Sequence, residues 1–306
     1  MNSTKFESIF ALNKNQIILF SGVIFFFMAI PLIPLYYLIM RTINSKDGQS
    51  PNVTLKLMNL INLIQFSQGM VHFVTAPALV FPRMQSEFNV ILRILGCIMN
   101  SFWIGALPVM ALLSVTRIFI FCNKICPKTI HSSIKFVLFC IISWITFLIL
   151  AGCITLNMKM TPPMWSYDFE VPYALLFDTL EICLSFPCLL ISYMSYLTIC
   201  WLIYGKQNFK NSQKSRKNEL SILLQCTFVM AYTSFLVFIW HPVLIPIVSF
   251  IDMTKLRNQA IINGMWIFNC YVNPIMMLIF HKSIREDVCQ ILKWDVQCGS
   301  NKNQQT

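Results

Sequence analysis

Asp178 and Glu181 are the side chains in this sequence with the clearest capacity for chemistry. They stand at i, i+3 inside a long apolar run, so on a helix they share one face near its outer end. An ionised carboxylate at membrane depth costs several kcal/mol unless it faces a cavity or a partner. The pair therefore reads either as an anionic lip on an outward-facing pocket, with Arg93 as a partner, or as two side chains snorkelling into the outer headgroups. Trp103, Trp240, His241 and Trp266 are candidate pocket walls, because small-molecule sites are mostly aromatic with a few placed polar groups. Asn100 has a choice between a ligand contact and an interhelical hydrogen bond, and for each aromatic residue the alternative is ordinary bundle packing.

Other chemistries are missing. The four histidines, His72, His131, His241 and His281, form no HExxH and stand at no metal-ligand spacing to a carboxylate. No glycine-rich phosphate loop occurs. Of 12 cysteines, Cys140, Cys183, Cys188, Cys200, Cys226 and Cys270 fall in apolar runs, where a lone cysteine acts as a small hydrophobe. Cys122 and Cys126 have a CxxxC spacing with no partner cluster, so no metal site is expected. Neither an enzyme nor a resident cofactor is indicated.

These residues must be positioned by membrane helices. The chain has 306 residues, 57% hydrophobic and 11% charged, with a mean hydropathy of +0.65. About a quarter of a soluble domain is charged, so this chain cannot cover its surface with polar groups. A span needs about 20 apolar residues, and seven runs qualify: 17–40, 55–81, 90–121, 133–157, 172–204, 220–250 and 260–280. The first is too long for a signal peptide, and Pro31 and Pro34 sit where a small-residue cleavage site belongs. Of 23 Lys and Arg residues, sixteen fall on one side, including five in "GKQNFKNSQKSRKNE". The positive-inside bias places that side in the cytoplasm and the N-terminus outside. This use of charge argues against a nucleic-acid partner.

The expected architecture is all-α: a short outer segment 1–16, a seven-helix bundle 17–280, an amphipathic eighth helix 281–294 and a disordered cytoplasmic tail 295–306. Phe280, Ile284, Val288 and Ile291 recur at helical spacing along the inner interface. Cys289 and Cys298 are candidate palmitoylation points there, the alternative being free thiols. Asn2 opens a sequon on the outer side, and Asn52 opens one that lies in the cytoplasm and is expected to stay unmodified. Pro108, Pro187, Pro242 and Pro274 lie mid-span, where each frees a carbonyl and permits a kink. With 9 glycines against 26 phenylalanines, bulky side chains are expected to fill the bundle.

Several stretches resemble rhodopsin-like G-protein-coupled receptors. "LLSVTRIFIF" is similar to the end of their third span and places Arg117 at the signature arginine. Trp144 in "ISWITF" matches the fourth-span tryptophan, "FIWHPV" the sixth-span Trp-x-Pro, and Asn273-Pro274 in "NPIMM" the seventh-span Asn-Pro-x-x-Tyr. Ile284 and Arg285 fall where the eighth helix carries Phe and Arg. There are departures: Thr116 stands in place of the acidic neighbour of the arginine and Met277 in place of the tyrosine. The second span has Asn59, Asn62, Gln65 and Gln68 but no Asp, and the loop 158–171 has no Cys. Cys97 and Cys153 are the pair that could substitute for the usual disulfide. Together with "RKNELSILLQ", this set looks like the nematode serpentine chemoreceptors of the Srt and Srx type.

The resemblance implies a small-molecule ligand such as an odorant, a heterotrimeric G protein, the plasma membrane and sensory neurons. It also implies hinges at Pro242 and Pro274, with Arg117 and Asn273 in the switch. Lacking an acidic neighbour, Arg117 is expected to permit basal activity, and loss of the tyrosine at 277 to cost the polar latch. The rival reading is a transporter or channel, which normally shows repeats or midplane charges. A scaffold that binds no ligand is the other alternative.

Overall fold

The structure, a computed structural model, describes residues 9–49, 52–122, 124–205, 213–241 and 252–302, with side chains at 47–49, 203–205, 213–219 and 294–302 left out of the description. Asn2, Pro242, the loop residues 206–212 and the side chain of Cys298 lie outside the described residues.

Among the described residues, seven helices are long and apolar enough to cross a membrane. The first span is two helices, α1 (Gln16–Ala29) and α2 (Leu32–Gln49). The break falls at Ile30–Pro31, where proline has no N–H to continue the ladder. Asn15 caps α1 by accepting from Ile17 and Ile18, and Asn52 caps the second span, α3 (Val53–Val80), by accepting from Thr54. A short helix α4 (Pro82–Glu87) leads into α5 (Asn89–Phe121), the third span. At 33 residues α5 is about 50 Å long, well beyond a hydrocarbon core of about 30 Å, so its ends project from the bilayer. It is the most enclosed span and packs on α3, on α6 (Ser132–Thr155) and on the fifth span, α7 (Ala174–Gly205). The fourth span, α6, is the least enclosed and turns most of its surface to lipid.

The sixth span lies in α8 (Gln213–Trp240), the seventh is α9 (Leu256–Phe280), and α10 (Lys282–Lys302) follows. In α10, Ile284 and Val288 are buried while Cys289 is exposed, the amphipathic pattern expected there. Arg285 Nη1 donates to the carbonyls of Leu278 and Ile279, both at 3.2 Å, and so caps the end of α9.

Glycine counts for more than its scarcity suggests. A Cβ on Gly96 would lie 2.4 Å from the Trp165 ring, and one on Gly105 would lie 2.4 Å from Ile145. Each of these positions seats a bulky neighbour against bare backbone. An unforeseen element completes the outer surface: β1 (Met158–Thr161) pairs antiparallel with β2 (Met164–Tyr167), Met158 opposite Tyr167.

Candidate functional site

The outer site begins with the neck of that hairpin. α6 ends at Leu156, a non-glycine residue at φ 51, a region where Cβ crowds the backbone. Arg93 of α5 holds it there, donating from Nε and Nη2 to the Leu156 carbonyl at 3.1 and 2.7 Å. The same guanidinium pairs with the Asp168 carboxylate, whose other oxygen takes Lys159 Nζ at 2.8 Å. Lys159, then Arg93, hold the Asp168 carboxyl below its ordinary range. Arg93 is therefore not the partner of Asp178 and Glu181. It lies seven residues, about 10 Å, outward of Asn100 along α5, and the hairpin is interposed. Cys97 and Cys153 are both free thiols, and Cys97 Sγ donates to Asn157 Oδ1 at 3.2 Å. The charged clamp fastens the loop to the third span without a disulfide.

From β2 the Tyr167 side chain reaches into the bundle. Its hydroxyl donates to Glu181 Oε2 at 2.6 Å and accepts from Asn100 Nδ2 at 2.6 Å. Glu181 is fully buried, and Oε1 also accepts from Trp103 Nε1 at 2.9 Å and faces His241 Nε2 at 3.3 Å. Asp178 Oδ1 lies 3.6 Å from His241 Nδ1. These partners offset the desolvation of a carboxylate that snorkelling would have left in the headgroups. Burial, with Glu181 beside it, pushes the Tyr167 phenol well above its ordinary value, so it remains a donor.

Below this cluster the Trp266 ring packs edge-on against Trp240, Trp103 and His72, with centroids 5.0, 5.9 and 5.5 Å away. The void bounded by Trp103, Leu236, Trp240, Ile262 and Trp266 measures about 10 Å³, room for about one water. Asn100 Oδ1 and Trp266 Nε1 are buried and have no hydrogen-bond partner among the described residues. Asn100, Trp103, Asp178, Glu181, Trp240, His241 and Trp266 thus converge on one region. Tyr167, Asp168 and His72 were not foreseen. The alternation in "MKMT" and "MWSY" around Pro162-Pro163 carried a hairpin signal.

A second polar chain crosses the cytoplasmic half. Pro274 leaves the Cys270 carbonyl without its helical donor, and the Tyr36 hydroxyl supplies one at 2.6 Å. Asn273 Nδ2 donates to Asn62 Oδ1 at 2.8 Å, and Asn273 Oδ1 accepts from Gln225 Nε2 at 3.0 Å. Gln225 Oε1 accepts from His281 Nε2 at 2.7 Å, and Ser221 Oγ donates to the Phe280 carbonyl at 2.6 Å. Met277 takes part as well, its Sδ accepting from Asn62 Nδ2 at 3.3 Å. The polar latch expected to be lost is thus built from other residues. Burial, then Arg117 and Lys46, push the His281 imidazole down to about 4. Arg117 is itself buried, with 5% of its surface exposed. Thr116 Oγ1 has no hydrogen-bond partner among the described residues, so it does not restrain Arg117.

No model of a known protein family matches this chain, and no curated protein matches it. Its fold is similar to that in the crystal structure of squid rhodopsin, with a TM-score of 0.59 and 14% identity over 94% of this chain and 89% of that one. At that identity the likeness establishes the fold alone. The molecule is a multi-pass membrane protein with the rhodopsin-like seven-helix architecture.

Proposed function

We propose that this chain is a G-protein-coupled receptor of the plasma membrane that detects a small molecule from outside and activates a heterotrimeric G protein. The observation that carries this reading is Glu181, a fully buried acceptor on which Trp103, Tyr167 and His241 converge beneath the outer hairpin. A cationic or hydrogen-bond-donating ligand replaces Tyr167 and His241 at that carboxylate, with Asn100, Asp178, Trp240 and Trp266 around it. Because the void holds about one water, Tyr167 and the ligand compete. The ligand shifts the bundle only by binding the opened arrangement better.

Pro274, with Pro242, supplies the hinge. Release of the Asn273–Gln225 contact then uncovers Arg117 for the G protein, and the basic stretch 206–217 provides the surrounding charge. The resemblance to nematode serpentine chemoreceptors adds an odorant-class ligand and a sensory-neuron setting. Asn2 is the proposed glycosylation site, and Cys289 and Cys298 are the proposed points of lipid attachment.

The test is a panel of volatile and water-soluble odorants applied to cells expressing the chain, read as calcium or cAMP change. A response abolished by Arg117→Ala and lost for cationic agonists in Glu181→Gln, with surface expression intact, supports the reading. Ionic current or solute flux without a G protein would establish the transporter reading instead.

A further inference from the structure

The outer void holds about one water, yet a much larger cavity lies between the first and seventh spans. It is a groove of about 760 Å³, inside the roughly 300–1,000 Å³ range of small-molecule sites, and it opens sideways towards lipid. Phe20 and Ile24 of α1 line one wall, Ile261, Gly264 and Phe268 of α9 the other, and Tyr232 lies behind. The lining runs over Gln16–Met28 and Arg257–Phe268, each about 16–18 Å along its helix. That is about half of a 30 Å hydrocarbon core, so the groove spans the outer leaflet. Phe20, Ile24, Ile261 and Phe268 are all exposed, so no described part of the chain fills it.

Among the described residues, one charged residue belongs to this lining, Arg257, exposed at the outer end of α9 where the headgroups begin. A guanidinium there offers a fork of donors that matches a carboxylate. We propose that the groove binds an anionic single-chain amphiphile, its apolar tail along α1 and α9 and its carboxylate on Arg257. A diacyl lipid brings a second tail that the groove does not enclose, and an uncharged amphiphile makes no use of the guanidinium.

The groove also touches the contact between the sixth and seventh spans. Tyr232 donates to the Met265 carbonyl at 2.9 Å, and both residues line the groove. The next residue, Trp266, faces inward to Trp240 and Trp103. An occupant therefore bears on the same helical turn that borders the candidate ligand site. The binding itself does not depend on the receptor reading; an effect of the occupant on signalling does.

The experiment uses the purified full chain in phosphatidylcholine nanodiscs with a palmitate analogue carrying a photoreactive tail. Labelling is expected within 257–268 or 16–28, competed by palmitate and not by methyl palmitate. Arg257→Glu is expected to weaken the apparent affinity at least tenfold, Lys14→Glu to leave it unchanged, and Ala260→Phe to block labelling by filling the groove. If Ala260→Phe does not fold, Arg257→Glu against Arg257→Lys decides, since an exposed residue is being changed. Equal competition by methyl palmitate, wild-type affinity in Arg257→Glu, or a diacyl phospholipid retained against palmitate would overturn the proposal. Specific labelling that leaves the response to an active odorant unchanged supports the binding and shows that the occupant does not act on signalling.

Discussion

Gln225 is the residue through which the latch is most directly testable. It is fully buried on α8 and joins Asn273 of α9 at 3.0 Å to His281 at 2.7 Å. Gln225→Met keeps the shape and volume of the side chain but removes both bonds. Each neutral hydrogen bond contributes about 0.5–1.5 kcal/mol net, so the closed arrangement loses about 1–3 kcal/mol. If opening lets Asn273 and His281 reach water, the whole loss appears in the closed-to-open equilibrium, a shift of roughly 5- to 150-fold. Ligand-free cAMP or calcium signalling, normalised to surface expression, should rise in Gln225→Met over the unmodified chain. Basal signalling that is unchanged or lower at equal surface expression would refute the latch. The same assay examines Arg117: Thr116→Asp should lower basal signalling if the missing acidic neighbour matters, and should change nothing if burial and the latch already restrain the arginine.

Other outcomes follow from the same contacts. Asp168→Asn removes the charge that holds Arg93 and Lys159, at about 1.5–3 kcal/mol for a charge-assisted bond in a carboxylate 7% exposed; hydrogen exchange over 156–168 should accelerate. Because the Asp168 carboxyl is held low, the clamp is complete above the ordinary carboxylate range and fails as pH falls through its depressed value. With Cys97 and Cys153 free, dithiothreitol should leave the melting temperature unchanged, whereas a lowered one would reveal a disulfide. The His281 imidazole titrates near 4 against an ordinary 6.5, so the latch is at full strength above 6.5 and weakens as cytoplasmic pH falls towards 4. At pH 5.5 the loss is on the order of 1 kcal/mol, and His281→Gln should abolish this dependence of basal signalling.

The spans were legible because the bilayer demands long apolar helices whatever their neighbours are. Pro274 and the amphipathic Ile284–Val288 face were equally readable, since both are local patterns. The break at Pro31 gave the same kind of local signal, although the first run reads as continuous on hydropathy alone. What the sequence did not disclose depends on which helix faces which. Tyr36 finds the Cys270 carbonyl 234 residues away, and nothing near either residue marks the pairing. Arg93 looked free to join Glu181 until the hairpin placed Asp168 beside it. Glycine placement was hidden for a similar reason, because one bare position opposite Trp165 sets a contact that composition averages away, while bulky side chains do fill the space beside it.

The most direct measurement is guanine-nucleotide exchange on a purified heterotrimeric G protein, catalysed by this chain in nanodiscs. Exchange should be faster than with empty discs, faster still with Gln225→Met, and at the empty-disc rate with Arg117→Ala. Folded protein that leaves exchange at the empty-disc rate in every variant, with and without active odorants from the panel, would contradict the receptor reading.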